Sequence, residues 1–335
     1  MFKVGIIGLG QIASDIDDDP ERDIIWSHAK AYNIHPQTKI TRIFDLNQLK
    51  LDSFSKKWNV PHACNSIDAF LEDFDLDVVS ICSPTETHYE ILKLLLNTSV
   101  KAVFCEKPLT HSVTKSEEVV SLYKEKNIPL IVNFMRRHDP IYTQPKQWIN
   151  NGDIGALTTI TAYGSTALMM STSHVIDMML FYGGPVEWVI GHLQSDFVRE
   201  VHGQPDPGGH AFIHFKNGTT GFLKGTSLSP AHYMFEIDLL GTEGRINISD
   251  DGRSVSFYKF QDINTSTGTG YKALVQENRT IVKSERMIIA IDNIIECINH
   301  DRIPSSGGHL SAENVKVIES IKQSNMSNNQ KVYLL

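Results

Sequence analysis

The chain has 335 residues, an apolar fraction of 41% and a formal net charge of −8. That length implies two domains rather than one core, and the apolar fraction is that of an ordinary globular protein. The acidic balance excludes a broad nucleic-acid or anionic-membrane surface and leaves only locally basic pockets open. No apolar run reaches the length of a membrane span. The opening "MFKVGIIGLG" is too short and too Gly-rich for a secretory leader and starts a strand, so the expected location is the cytoplasm.

In chain order, the first 130-odd residues alternate strand and helix patterns. "FKVGIIG" (2–8), "KITRIFD" (39–45), "LDVVSICS" (76–83), "VKAVFCE" (100–106) and "IPLIVNF" (128–134) are apolar, strand-like runs. Helix-like stretches fill the gaps at 47–58, 86–97 and 112–126. Apolar strands alternating with amphipathic helices predict a parallel sheet covered on both faces. The pattern then changes. "GALTTITAYGSTA" (155–167) alternates like a half-exposed strand, and strand-like runs follow at 186–193, 210–215, 219–227, 234–240, 244–248 and 253–260. The turn signals "NGT", "GTEG" and "DDGR" separate several of them, which predicts an antiparallel sheet. "ALMMSTSHVID" (167–177) reads as a helix, two more helices are expected near 285–299 and 311–324, and a polar loop at 324–330 precedes the tail "KVYLL".

The first chemical signal is "GLGQIA" (8–13) at the end of an apolar strand. Gly8 permits a tight turn and Gly10 lets backbone approach a pyrophosphate. Ala13 keeps helix and strand close, and the helix N-terminus, with Gln11 and Ile12, offers free N–H groups to phosphates. The second strand ends in Asp45, a carboxylate able to accept both ribose hydroxyls of an adenosine and to repel a 2′-phosphate. No basic residue follows at 46–47, so NAD is expected in preference to NADP. Asp45 lies 37 residues after Gly8, whereas about 20 is usual. The excess is "SDIDDDPERDIIWS" (14–27), with six carboxylates in residues 15–23; the helix is expected to resume at "HAKAYN" (28–33). A solvated loop is one reading of this insertion, and a flap over the cofactor or a subunit contact is the other. A calcium loop is unsupported, because the glycine and terminal glutamate of an EF-hand are missing.

Four cysteines, at 64, 82, 105 and 297, match no zinc spacing and are expected as reduced thiols. His210 and His214 in "GGHAFIHF" share a strand face with Phe212 between them, but no third ligand is evident, so no metal is expected.

"FCEKPLT" (104–110), with "GLGQIA", "CSPTETHYE" (82–90), "NFMRRHDP" (133–140) and "GTEGRI" (241–246), resembles the Gfo/Idh/MocA family of glucose–fructose oxidoreductases and inositol dehydrogenases. The resemblance covers almost the whole chain. It implies an α/β protein: an NAD(P)-binding Rossmann domain over 1–135, and a substrate-binding and oligomerisation α/β domain with a large open, mostly antiparallel sheet over 136–335, its terminal helices packing back on the first domain. It implies a sugar, sugar-nucleotide or cyclitol dehydrogenase, and a homodimer or homotetramer formed through that sheet.

The family's pattern implies that Lys107 stands near the nicotinamide and the reacting oxygen, with Pro108 following a cis bond. Ser83, Pro84, His88 and Glu106 would line the nicotinamide end, although His88 reads equally as a local cap or packing group. Arg136 could bind a polar substrate. Aligned on His174, the family's G-x-L-x-D-x-G-x-H-x-x-D reads here Thr166, Leu168, Met170, Thr172, His174 and Asp177. In isolation a histidine among methionines reads as core; beside the other motifs His174 is expected to be the acid/base catalyst. Asp177 would orient the ring or anchor the helix. Met170 replaces the family's aspartate. Either His174 and Lys107 suffice, or the substrate presents an apolar or acylated group there, or redox chemistry is lost. An enzyme using transient oxidation by tightly bound NAD for elimination or glycoside cleavage, and a non-catalytic NAD sensor, are the alternatives.

Overall fold

A computed structural model describes residues 1–201, 204–227, 232–263 and 270–334. Residue Leu335, the last of the apolar tail, lies outside them. The chain forms two compact units, Met1–Asp139 with Ser284–Val315, and Pro140–Lys283 with Lys316–Leu335.

The first unit holds six strands: β1 (Phe2–Ile7), β2 (Thr38–Phe44), β3 (His62–Cys64), β4 (Val78–Ile81), β5 (Ala102–Cys105) and β6 (Leu130–Val132). They lie in the order β3-β2-β1-β4-β5-β6, all parallel. Alternate residues feed two cores. Val4, Ile6, Ile40, Ile43, Val78, Ala102 and Phe104 enter one, and Ile7, Val79, Ile81, Val103, Cys105 and Val132 the other. A strand buried on both faces has no polar phase, which is why β4, β5 and β6 read as almost continuously apolar, whereas β2 keeps Lys39 exposed. The helices are α1 (His28–Ile34), α2 (Gln48–Trp58), α3 (Ile67–Leu71), α4 (Thr85–Leu95) and α5 (Val113–Glu125). Side chains of Ser27, Asn47, Ser66 and Ser112 cap α1, α2, α3 and α5 by accepting first-turn N–H groups.

The second unit contains α6 (Pro140–Asn150), β7 (Leu157–Gly164), α7 (Thr172–Gly183), β8 (Val186–Val201), β9 (Gln204–Phe215), β10 (Thr220–Gly225), β11 (Phe235–Gly241), β12 (Gly244–Ser249), β13 (Ser254–Asp262) and β14 (Lys272–Glu277). Two helices follow: α8 (Arg286–His300), within the first unit, and α9 (Gly308–Met326), divided between the units at Val315. The last strand is β15 (Val332–Tyr333), so the tail closes the sheet edge beside β8. The strand order is β14-β13-β12-β11-β7-β10-β9-β8-β15. Every pairing is antiparallel except β10 with β7, so the sheet is mostly rather than wholly antiparallel. Strict alternation, as in Phe235–Gly241, buries Phe235, Ile237 and Leu239 on one face.

The insertion at 14–27 is largely solvated, with residues 15 and 18–23 exposed, yet it is held at several points. Two 3₁₀ turns, Gln11–Ala13 and Asp15–Asp18, replace the helix expected directly after the glycines. Asp17 accepts the Trp26 and Ser27 amides at 3.0 and 2.9 Å, Ile25 donates to Glu285 at 2.9 Å, and Trp58 Nε1 donates to Ser14 Oγ at 2.9 Å. The segment is tied to α2 and to the start of α8, and the helix restarts at His28 behind the Ser27 cap.

Candidate active site

The carboxyl ends of the parallel strands gather the expected cofactor residues. Gly8 follows β1 with φ +84°, and a Cβ there would stand 2.5 Å from the Ser83 backbone, so only glycine fits. A Cβ at Gly10 would meet no protein atom within 4 Å. Packing within the chain therefore does not demand this glycine, and an approaching pyrophosphate does. Gln11 is exposed and Ile12 half-buried in the short 3₁₀ turn. Asp45 ends β2 half-buried; Oδ2 accepts the Leu9 amide and Oδ1 the Asn47 amide, both at 2.8 Å. A left-handed glycine, an unobstructed second glycine and a carboxylate beside the turn fit the diphosphate and the ribose of NAD. In that role Gly8, Gly10, Gln11 and Ile12 would hold the phosphates and Asp45 the adenosine ribose.

Glu106 and Lys107 follow β5, and the Lys107–Pro108 bond is cis, as the family's pattern implies. Glu106 is 12% exposed at its side chain. Oε1 accepts Asn133 Nδ2 at 2.7 Å and lies 3.0 Å from His28 Nε2, while Oε2 accepts the Lys107 amide at 3.2 Å. Burial alone would raise its pKa. The hydrogen bond and charge of His28, the Asn133 amide and the charge of Lys107 outweigh that and hold the carboxyl below its ordinary range. Glu106 is thus an anion inside the unit, next in sequence to an ammonium.

Ser83 is half-buried and bonds Thr87 Oγ1 at 2.7 Å; Pro84 is exposed as the N-cap of α4. His88 differs from expectation. It is wholly buried, with Nε2 2.9 Å from the Ser83 carbonyl and Nδ1 3.1 and 3.2 Å from those of Pro108 and Leu109. Burial outweighs the carbonyls and lowers its pKa. Its side chain has no surface to line a cofactor; it braces the Ser83 loop against the Lys107–Leu109 turn, the packing alternative that the sequence left open.

Beyond β6, Met135–His138 form a 3₁₀ turn whose side chains are buried. Arg136, expected to meet substrate, is only 3% exposed. Burial, helped by the charge of Arg137, pushes His138 down to about 4.

His174, Asp177 and Met170 belong to the second unit. The helix expected from Ala167 starts five residues later, at Thr172. The segment before it faces Asp206 on β9. This 4%-exposed carboxylate accepts the Met169 amide at 3.0 Å and the Met170 amide at 3.2 Å, and the Pro207 carbonyl takes the Leu168 amide at 3.0 Å. These bonds tie residues 168–170 to β9 ahead of the helix. His174 stands on the first turn of α7, 9% exposed. Asp177, three residues on, has no exposed surface. Met170 is half-buried.

Sequence reasoning missed His28, Asn133 and Asp206. None lies in a spacing that signals chemistry; each is identified only by the carboxylate or amide it faces. All four cysteines are free, and burial raises the thiol pKa at Cys82 and Cys105, and to about 11 at Cys297. Among the described residues no three His, Cys, Asp or Glu side chains group as metal ligands. His214 instead stacks on Trp188 at 5.0 Å and lies 3.6 Å from Glu187.

Comparison with known proteins agrees with this geometry. Residues 2–134 match the model of the Gfo/Idh/MocA oxidoreductase family, NAD-binding Rossmann fold, and residues 160–247 match that family's C-terminal domain. The chain is 29% identical over 151 residues to the uncharacterized oxidoreductase YrbE of Bacillus subtilis, covering 45% of this chain and 40% of that one. It is 27% identical over 263 residues to myo-inositol 2-dehydrogenase of Thermotoga maritima, covering 73% and 74%. Among solved structures, the WlbA dehydrogenase of Bordetella pertussis in complex with NADH and UDP-GlcNAcA superposes with a TM-score of 0.80 at 18% identity, over 100% of this chain and 99% of that one. At that identity the likeness speaks for the fold alone. The glycine turn with Asp45, the Glu106–Lys107–Pro108 triplet after β5 and the two family matches lead to one conclusion: the chain belongs to the Gfo/Idh/MocA family of NAD-binding oxidoreductases, which act on CH–OH groups.

Proposed function

We propose that the protein is an NAD-dependent dehydrogenase of a hydroxyl carbon in a sugar, sugar nucleotide or cyclitol. The observation that carries this reading is Lys107: it follows the β5 carboxyl end directly, beside the buried Glu106 anion, in the unit that bears the Gly8–Asp45 dinucleotide turn. Bound NAD supplies the hydride acceptor. Lys107 donates to the substrate oxygen and lowers the cost of its developing negative charge. His174 takes the hydroxyl proton as the C–H bond breaks, and returns it in the reverse direction. Ser83, Pro84 and the Glu106–Lys107 backbone line the nicotinamide end. Met170, which keeps exposed surface, presents a thioether where an aspartate is usual. It selects a substrate whose group there is apolar or acylated, and Lys107 and His174 supply the chemistry without a further carboxylate.

The inositol dehydrogenase relative and the sugar-nucleotide ligand of the WlbA structure support this substrate range. The experiment is steady-state NADH formation over a panel of cyclitols, sugars and nucleotide sugars. Sustained NADH formation with at least one polyol supports the reading. Substrate consumption without NADH would indicate transient oxidation, and neither would indicate a sensor.

A further inference from the structure

We propose that His28, the first residue of α1, is a positioning residue for Lys107 that acts through Glu106; this rests on the reading of Lys107 as the oxygen-polarising group. His28 is wholly buried and its ring packs on Phe104 of β5 at 4.6 Å. Nε2 lies 3.0 Å from Glu106 Oε1, and Nδ1 lies 3.1 Å from Ser80 Oγ on β4. Ser80 Oγ in turn lies 2.9 Å from the Tyr32 hydroxyl, one turn along α1. Asn133, just past β6, donates to the same Glu106 oxygen at 2.7 Å. Residues on or just beyond three neighbouring strands, together with α1, meet on one carboxylate.

The contacts form a continuous line. With Nε2–H given to Glu106, Nδ1 faces Ser80 Oγ, which in turn meets the Tyr32 hydroxyl. Burial raises the Tyr32 pKa, which keeps that hydroxyl a donor. A buried line of hydrogen bonds of this kind resists rearrangement.

That arrangement matters because it holds one side of the Glu106 carboxylate. With Oε1 held by His28 and Asn133, Oε2 faces the Lys107 amide at 3.2 Å and clamps the start of the turn that aims the lysine. Without the imidazole, the carboxylate loses a donor at Oε1 and shifts. The lysine backbone loses its partner, and the ammonium loses a fixed counter-charge. The insertion at 14–27 gains a use here, since it delivers His28 to this point behind the Ser27 cap.

The test compares His28→Ala, Asn133→Ala and His28→Gln, the last keeping a side-chain N–H for Glu106. In the first two, kcat with the best polyol is expected to fall about 10- to 100-fold, with KM for NAD+ and polyol nearly unchanged, and His28→Gln is expected to recover most of the loss. A second readout needs no turnover. In protein reductively methylated with ¹³C-formaldehyde, the Lys107 resonance, assigned by its loss in Lys107→Arg, is followed against pH. Its titration is expected to be displaced in His28→Ala and Asn133→Ala and to match wild type in His28→Gln. If His28→Ala does not fold, Asn133→Ala carries both measurements. An unchanged Lys107 titration in the Ala variants overturns the proposal, as does equal loss of kcat in the Ala and Gln variants. A wild type that forms no NADH defeats the reading of Lys107 instead, and the resonance still decides whether His28 governs it.

Discussion

The Asp45 carboxylate accepts the Leu9 amide proton at 2.8 Å, joining the end of β2 to the glycine turn 36 residues earlier. One side chain therefore shapes the turn and stands where the adenosine ribose is expected. Replacing Asp45 by alanine removes the ribose acceptor and the charge that repels a 2′-phosphate. NAD+ affinity should fall about 10- to 100-fold, roughly 1.4 to 3 kcal/mol, and the preference for NAD+ over NADP+ should shrink. Calorimetric titration with both dinucleotides checks this; undiminished NAD+ affinity would remove Asp45 from the site.

Stability should fall on acidification from a specific histidine. His138 titrates near 4 in the folded protein because of burial and the Arg137 charge, against an ordinary 6.5. Between those values the unfolded chain binds a proton that the folded one refuses, so folding stability drops as pH falls through this window. The slope is about 1.4 kcal/mol per pH unit at most. Glu106 adds a loss of the same sign at lower pH, since its carboxyl lies below the ordinary range when folded. Urea denaturation of His138→Gln and wild type between pH 7 and 4.5 should show a flatter pH dependence in the variant; parallel curves would contradict the assignment.

Asp17 holds two backbone amides of the insertion, those of Trp26 and Ser27. Asp17→Ala leaves both without this acceptor and should destabilise the protein by about 1 to 3 kcal/mol. It should also speed proteolytic cleavage within residues 14–27. Cleavage at the wild-type rate would mean that the contacts with Glu285 and Trp58 suffice.

The outer face of the large sheet carries Trp188, Phe212, His214 and Phe222, with Phe222 42% exposed and Trp188 stacked between Phe212, His214 and the Lys331 ammonium. Register places Phe212 opposite Phe222 and His214 opposite Trp188. An aromatic row of this kind on an otherwise polar face favours association between copies. Phe222→Glu is expected to shift the protein toward monomer in light scattering coupled to size exclusion. An unchanged mass would place any self-association elsewhere.

Much of this architecture is legible in the sequence, for physical reasons that also mark where legibility ends. The runs of β4, β5 and β6 are visible because they are buried throughout, and β1 because its last four residues are, whereas β2, with Lys39 exposed, is marked by its β-branched residues. β3 is not, since His62 and Ala63 are exposed and only backbone pairing with β2 makes the segment a strand. β14 is hidden in the same way, as a polar edge strand. The glycine turn, Asp45 and Lys107 are legible because their chemistry is tied to position along a strand. The delayed start of α7 is not, and the segment ahead of it is tied to Asp206, 36 residues beyond Met170. His88 carries the right residue type at the expected place, yet tertiary burial turns it from a contact group into a brace.

The central claim is that Lys107 and His174 carry out chemistry on one carbon. The most direct measurement is single-turnover NADH formation by wild type, Lys107→Ala and His174→Ala with the best polyol, alongside NADH binding. The account predicts that each variant loses about 10²- to 10⁴-fold in rate while binding NADH nearly as wild type does. Full rates in either variant would contradict it.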